Sequence, residues 1–425
     1  MIPLEKAQEY VLQQCLVGSP ECRSSRSSLG LVLADEVSTD EDVPPFDNTA
    51  MDGFAVRSED TLEAPKTLEI VGTIAAGTIP DFSVNSGQAA RIMTGAPLPP
   101  GADSVVMVEL TKVEGNQVTV ERLVPEGNHI RRAGEDLRAG QTVFEKGTRL
   151  TPTHLGVLAS IGCLEVNVFP PLRVGVVSTG DELVEGETFL KPGQIRDSNR
   201  HSLLALLNDL GLEGVDLGLI PDDEEAIEKT FRSACSGVHR CDVVVSSGGV
   251  SMGDFDFVKI VLDRLGDMRW MQVAIKPAKP LAFGLVGNVP VFGLPGNPVS
   301  SLVSFELFVR PALRKMMGHT AIWSPKIKAV TESAISRRPD EKTHFARVKV
   351  SLVDGSYRVE SAGSQGSHQL STMAEANALA VLPDGTGVQA GDSVEIILLH
   401  QPPRIWGSHL EITETIYFSC KQHIV

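Results

Sequence analysis

At 425 residues the chain is long enough for two to four domains with sizeable cores, and 42% hydrophobic with 22% charged residues is a globular balance that excludes a disordered or fibrous class. A net charge of −16 excludes a general nucleic-acid or anionic-membrane binder, because both demand a positive surface; any anionic ligand must be met by cations gathered locally. The six cysteines form no CxxC, MIPLEKAQEY lacks a signal peptide's apolar core, and the apolar run 289–309 is broken by three prolines, Asn297 and Glu306, which together point to a cytoplasmic chain with no membrane span.

Residues 3–17 space their apolar side chains for an amphipathic helix opened by Pro3. VPPFDNTAMDGFAV reads as an ordered loop entering a strand. Residues 66–150 alternate short apolar runs with glycine-rich turns, a mostly β region, and residues 153–163 read as a short helix. From Leu172 strands and helices alternate. LRVGVVSTG is a buried strand and turn, 197–210 a helix, VDLGLI a strand, and 222–235 a helix opened by two aspartates. CDVVVSSGG is a strand and loop, 256–265 a helix, and VPVFGLPGNP a strand and loop. A long helix follows from 299, which Pro311 kinks or ends. This alternation predicts a doubly wound α/β domain, and the short strands after about residue 326 predict a small β-barrel or sandwich. The fold class is multidomain, α/β plus β.

Ligands of doubly wound sheets sit at the carboxyl ends of the strands. Three loops of small residues fall there: Ser178, Thr179 and Gly180; Ser247, Gly248 and Gly249; and Pro295, Gly296, Asn297 and Pro298. Asn297 is expected to cap the following helix and Pro298 to take its first position, leaving the N-terminus open to an anion. Lys276 and Lys279 each precede a proline, which holds the lysine backbone extended, and two fixed cations there suit phosphates or another oxyanion. Acids follow the same strands: Asp181 and Glu182, Asp222 and Asp223, Asp254 and Asp256. Asp52 lies in the tight AMDGFA segment. Carboxylates beside a phosphate site hold Mg²⁺. The plainer alternatives are a capped turn without a ligand, two solvated lysines, and acids that merely start a helix. No HExxH, GxSxG or GxxxxGKS is present.

The motifs PPFDNTAMDGFAV, RIMTGAPLPPGADSVVMVE, IRRAGEDL, VVSTGDEL, GQIRDSN, SSGGVSMGDFDFVK, KPAKPLAFG and GLPGNPVSS, in this order, resemble the MoeA and gephyrin E-domain family of molybdopterin molybdotransferases. The resemblance covers residues 1–400. It implies a discontinuous linking domain (20–45 and 141–171), a β-rich lobe (46–140), an α/β molybdopterin-binding domain (1–19 and 172–320) and a C-terminal β-barrel (321–400). Residues 401–425 extend past it without an assigned role.

The implied activity inserts molybdate into adenylylated molybdopterin with Mg²⁺, releasing AMP and the molybdenum cofactor. The implied assembly is a homodimer in which the β-rich lobe reaches the partner's cleft. The adenylyltransferase and the apoproteins of molybdenum enzymes, or their chaperones, are the implied partners. By resemblance Asp52, Thr94, Glu182, Asp256, Lys276 and Lys279 are catalytic and Asp136 binds substrate. Asp222, Asp254 and Asp256 are expected to hold the metal. Ala278 stands where the family more often has glycine, which stiffens the loop. A scaffold protein on the same fold is the competing reading, and the retained acids and lysines weigh against it.

Overall fold

The computed structural model describes residues 1–187, 189–250, 257–399 and 404–405. Asp254 and Asp256, two of the expected metal ligands, lie outside the described residues, as does nearly all of the 401–425 segment. The chain divides into two compact units, one of Met1–Ser19 with Phe169–Val425 and one of Pro20–Val168.

The first unit is built on a six-stranded sheet. Its strands are β1 (Arg173–Thr179), β2 (Glu213–Ile220), β3 (Val243–Ser247), β4 (Asp267–Gln272), β5 (Pro280–Val286) and β6 (Val289–Leu294), ordered β2-β1-β3-β6-β5-β4. The first four run parallel, whereas β5 and β4 add antiparallel, so the sheet is mixed. The sequence reading had no strand over β4 or β5. Their hairpin carries the edge that a purely parallel reading leaves bare.

Parallel strands covered on both faces read as continuous apolar runs, and here the faces alternate residue by residue. Val174, Val176, Val243, Val245 and Phe292 join one core, with Leu203 and Leu207 of the Asn199–Asp209 helix. Val177, Val244 and Val291 join the other, with Ile227 and Phe231 of the Glu224–Ser236 helix. Each such side chain contributes about 1.5–3 kcal/mol on burial.

The expected N-terminal helix is Leu4–Gln14, which buries Ala7 and Val11. The helix expected from 299 is not continuous. It runs Pro298–Ser304, widens into a π turn over Phe305–Val309 and resumes over Arg310–Met316. Pro311 therefore neither ends nor breaks it. Proline has no N–H for the carbonyl four residues back, and that carbonyl, Leu307 O, accepts from Gln8 Nε2 at 3.0 Å instead.

Residues 326–398 close into a five-stranded barrel. Thr343–Val353 pairs with both Ser356–Ser361 and Ala378–Leu382, and Lys326–Thr331 and Ser393–Leu398 complete the ring. Closure removes the exposed edges a sandwich would keep.

In the second unit Gly53–Val56 and Gln88–Ile92 are central to a six-stranded sheet. Phe54 and Val56 face one core, Ala55 and Ile92 the other. Its helix, Pro152–Ser160, is capped by the Thr151 hydroxyl. Among the described residues no helix is long and apolar enough to cross a membrane.

Candidate functional site

Strands β1, β3 and β6 end at one edge of the sheet, and their loops wall a cleft of about 590 Å³. The two glycine turns pack directly against each other. Gly248 has φ +96°, and a methyl there would stand 2.8 Å from the Thr179 carbonyl oxygen. Gly180 has φ +145°, and a methyl there would meet Glu182 Oε2 at 2.5 Å. Only glycine satisfies both demands. Asn199 ties the walls together: its Nδ2 donates to Ser247 Oγ at 2.8 Å and to Gly296 O at 2.7 Å. Ser178 Oγ donates to the buried Asp197 at 3.1 Å.

Asp197 in turn accepts from Arg200 Nε at 3.0 Å. The Arg200 side chain, 2% exposed, also pairs with Asp216 and Glu185. Burial opposes its charge, but the hydrogen bonds it donates to Asp216, Glu185 and Asp197 outweigh burial and hold the guanidinium pKa above its usual value. Thr179 Oγ1, buried in the wall, has no hydrogen-bond partner among the described residues. A buried hydroxyl left so costs about 1–3 kcal/mol.

The acids separate into different roles. Asp223 caps the Glu224–Ser236 helix, its Oδ1 accepting from Ala226 N at 2.9 Å. Asp222 is not used as a cap. Its backbone N–H donates to Asp181 Oδ1 at 3.1 Å, and its own carboxyl is pushed up, first by burial and then by the charges of Asp181 and Glu182. Glu182 lines the cleft. Among the described residues no three acidic, histidine or cysteine side chains converge as a metal cage. Oxygen donors in mutual repulsion nevertheless suit a hard divalent cation such as Mg²⁺.

A second pocket, of about 850 Å³, adjoins the cleft, and Asn297 lines both. It gathers Lys276, Lys279, Arg337, Arg338 and Lys342 against one lining carboxylate, Asp340. Neither Lys276 nor Lys279 forms an ion pair among the described residues. Ile275–Lys276 is extended and pairs with Thr343–His344, as the following proline predicts. Ala278, between the lysines, is buried at φ +75°, a left-handed backbone that favours glycine. Lys342 and His344 hydrogen-bond Asp340 and draw its carboxyl down to about 2. Pro295 lines this pocket and Pro298 lines the cleft. The expected Asn297 cap is not made, since its side chain bonds no helix N–H; the Val299 N–H donates to Ser367 O instead.

The loop carrying Ser367 is held from below by Arg347. This buried arginine donates to Gly366 O at 2.9 Å and Ser364 O at 2.8 Å, and burial pulls its pKa down.

Three expected residues belong to the second unit. Asp52 Oδ1 accepts from both Thr94 N at 2.6 Å and Thr94 Oγ1 at 2.7 Å. These bonds, backbone first, with the Arg91 charge, hold the exposed Asp52 carboxyl below the usual range. Asp136 lies apart from that pair in sequence; its N–H donates to Val43 O and its side chain is exposed.

The sequence reading named no role for Asn199, Arg337, Arg338, Lys342, His344 or His368, which line or tie these pockets. Asn199 lies within the quoted GQIRDSN motif, and RRPDEKTH is a visible charge cluster, but neither reveals its distant partner.

Comparison with known proteins places these features in a family. Residues 2–162 match the MoeA N-terminal region (domain I and II), 175–315 a probable molybdopterin binding domain, and 328–399 the MoeA C-terminal region (domain IV). The chain is 40% identical over 404 residues to a molybdopterin molybdenumtransferase of Haemophilus influenzae, covering 93% of this chain and 98% of that one. It is 34% identical to the Bacillus subtilis protein of the same name, covering 94% of each. The crystal structure of the molybdopterin biosynthesis MoeA protein from Pyrococcus horikoshii OT3 superposes with a TM-score of 0.78 at 31% identity, over 94% of this chain and all of that one. With both pockets lying in the matched regions, the chain belongs to the MoeA family.

Proposed function

We propose that this enzyme of molybdenum cofactor biosynthesis inserts molybdate into adenylylated molybdopterin, cleaving the phosphoanhydride and releasing AMP. The observation that carries the reading is the pairing of a glycine-walled cleft with a cationic pocket across Asn297, in a chain of net charge −16. Molybdate and a phosphoanhydride are both anions. At an effective dielectric near 20, two unit charges about 4 Å apart interact by roughly 4 kcal/mol. Lys276 and Lys279, uncommitted to carboxylates among the described residues, offset that repulsion for the oxyanion.

The Ser178–Thr179–Gly180 and Ser247–Gly248–Gly249 turns bring backbone close to the pterin and its phosphates. The loop over 295–298 divides the two anions. Glu182 and Asp256 orient the attacking oxygen. Asp222, with Asp254 and Asp256, would hold Mg²⁺, whose chemistry is to neutralise charge on the phosphoanhydride. In the homodimer that the resemblance implies, Asp52, Thr94 and Asp136 of one subunit serve the cleft of its partner.

The test supplies adenylylated molybdopterin, molybdate and Mg²⁺ and measures AMP release with reconstitution of a molybdenum apoenzyme. Binding of the pterin without AMP release removes the transferase reading. Undiminished turnover in both Asp256→Ala and Lys279→Ala removes the roles assigned to those residues.

A further inference from the structure

We infer that His344 is a proton-accepting wall of the cationic pocket: a tetrahedral oxyanion settling against Lys276 and Lys279 is joined by a proton on His344, which adds a third cation to the clamp. This rests on the oxyanion reading above and extends it, by assigning a binding residue and a proton stoichiometry.

Strand pairing sets Lys276 directly beside His344, so an anion held by one lies against the other. The imidazole is largely enclosed, with 14% of its side chain exposed, and its Nε2 lies 3.0 Å from Asp340 Oδ1. That contact fixes the ring while leaving it free to carry either one proton or two. Five influences meet on it. Burial lowers its pKa, the Asp340 hydrogen bond and charge raise it, and the charges of Arg337 and Lys276 lower it, with a lowered net result. The charged imidazole is therefore disfavoured relative to an ordinary one until an anion arrives.

Among the described residues the charged groups lining the pocket around it can be named. Lys342 and Asp340 come from its own segment, Arg337 and Arg338 from the preceding loop, and Lys276 and Lys279 from the facing strand and loop. Asp384 pairs with Arg337 behind it. Lysine and arginine stay charged through the neutral range, Asp340 titrates at about 2, and Asp384 is held below the usual carboxylate range. Among the described lining groups, His344 is thus the one whose ordinary titration lies nearest neutrality. An arriving dianion reverses the balance of fields upon it, and the penalty on its protonated form becomes a gain. His239 is exposed, lines neither pocket and is the internal control.

The experiment titrates molybdate into the full chain by calorimetry, from about pH 6 to about pH 8, in buffers of different ionisation heat, so that protons taken up are counted. A matched titration uses AMP. Wild type is expected to take up close to one proton with molybdate, and its Kd to weaken by as much as about tenfold per pH unit on raising the pH. His344→Gln keeps a polar contact to Asp340 but cannot titrate; it is expected to bind molybdate with a flat pH profile and no proton uptake, at an unchanged Tm near pH 8. His239→Gln is expected to behave as wild type. Binding without proton uptake, or uptake that persists in His344→Gln, overturns the assignment and leaves the oxyanion reading standing. Uptake with AMP but not with molybdate overturns it in favour of the nucleotide phosphate. Absence of molybdate binding, or equal binding by Lys279→Ala, fells the oxyanion reading itself and this assignment with it.

Discussion

The carboxamide of Asn199 donates to Ser247 Oγ at 2.8 Å, fastening the first turn of a helix to the end of strand β3. The same nitrogen reaches the Gly296 carbonyl, so one side chain spans the two loops that bound the cleft. Asn199→Asp keeps the shape; the Ser247 hydroxyl can turn to donate to the new carboxylate, but the Gly296 carbonyl then faces another acceptor. The lost bond to Gly296 predicts destabilisation of about 1–3 kcal/mol in urea unfolding, with a larger proportional rise in KM for the pterin substrate than fall in kcat. An unchanged KM would refute a role in shaping the cleft.

Gly248→Ala tests the contact between the two turns. Its methyl falls 2.8 Å from the Thr179 oxygen on a left-handed backbone. The conformational penalty alone is about 1–2 kcal/mol, and relief of the clash moves one turn into the cleft. A drop in Tm together with weaker pterin binding is expected. A variant that binds normally would mean that the turns part at no expense.

Arg200→Met leaves Asp197 buried without its cation, beneath Ser178. Breaking one side of a buried ion pair is strongly destabilising, about 3–5 kcal/mol, and this should appear in denaturant melts. The double change Arg200→Met with Asp197→Asn should recover a good part of the loss. Without that recovery, packing rather than charge is the reason Arg200 is there.

Asp222 predicts a pH signature. Its carboxyl is raised above the ordinary 3.8 by burial and by Asp181 and Glu182, so the folded state holds the proton longer than the unfolded one. Stability contributed by this group is therefore present below the unfolded value and lost as pH rises through the folded one. Asp222→Asn should raise Tm near neutral pH, leave it unchanged near pH 3, and lower AMP release. Mg²⁺ should raise the Tm of wild type more than that of Asp222→Asn. A variant less stable than wild type at neutral pH would contradict this account.

What the sequence made legible divides along a physical line. Strands β1, β3 and β6 could be read because parallel strands buried on both faces are written as VGVV, VVV and VFGL, and their loops could be read because glycine and proline mark turns. The cap at Asp223 followed from helix-start chemistry, yet that same chemistry hid the different fate of Asp222 one residue earlier. The alternation of short strands left barrel and sandwich both open, and only the resemblance pointed to the barrel that forms: the alternation of Thr343–Val353 shows which face is buried, not which two strands flank it. His344, Arg338 and Lys342 were missed because their importance comes from Lys276, a neighbour in space about seventy residues distant in sequence.

The bond from Gln8 to Leu307 also bears on how the chain is born. The first helix leaves the ribosome with Ala7 and Val11 bare, and the carbonyl that Gln8 serves follows 299 residues later. At about 5–20 residues per second that delay is on the order of 15–60 s. By about the middle of it the Pro20–Val168 unit is complete, while the partners of this helix in the other unit are still to come. This helix therefore cannot reach its full packing before residues 298–316 arrive.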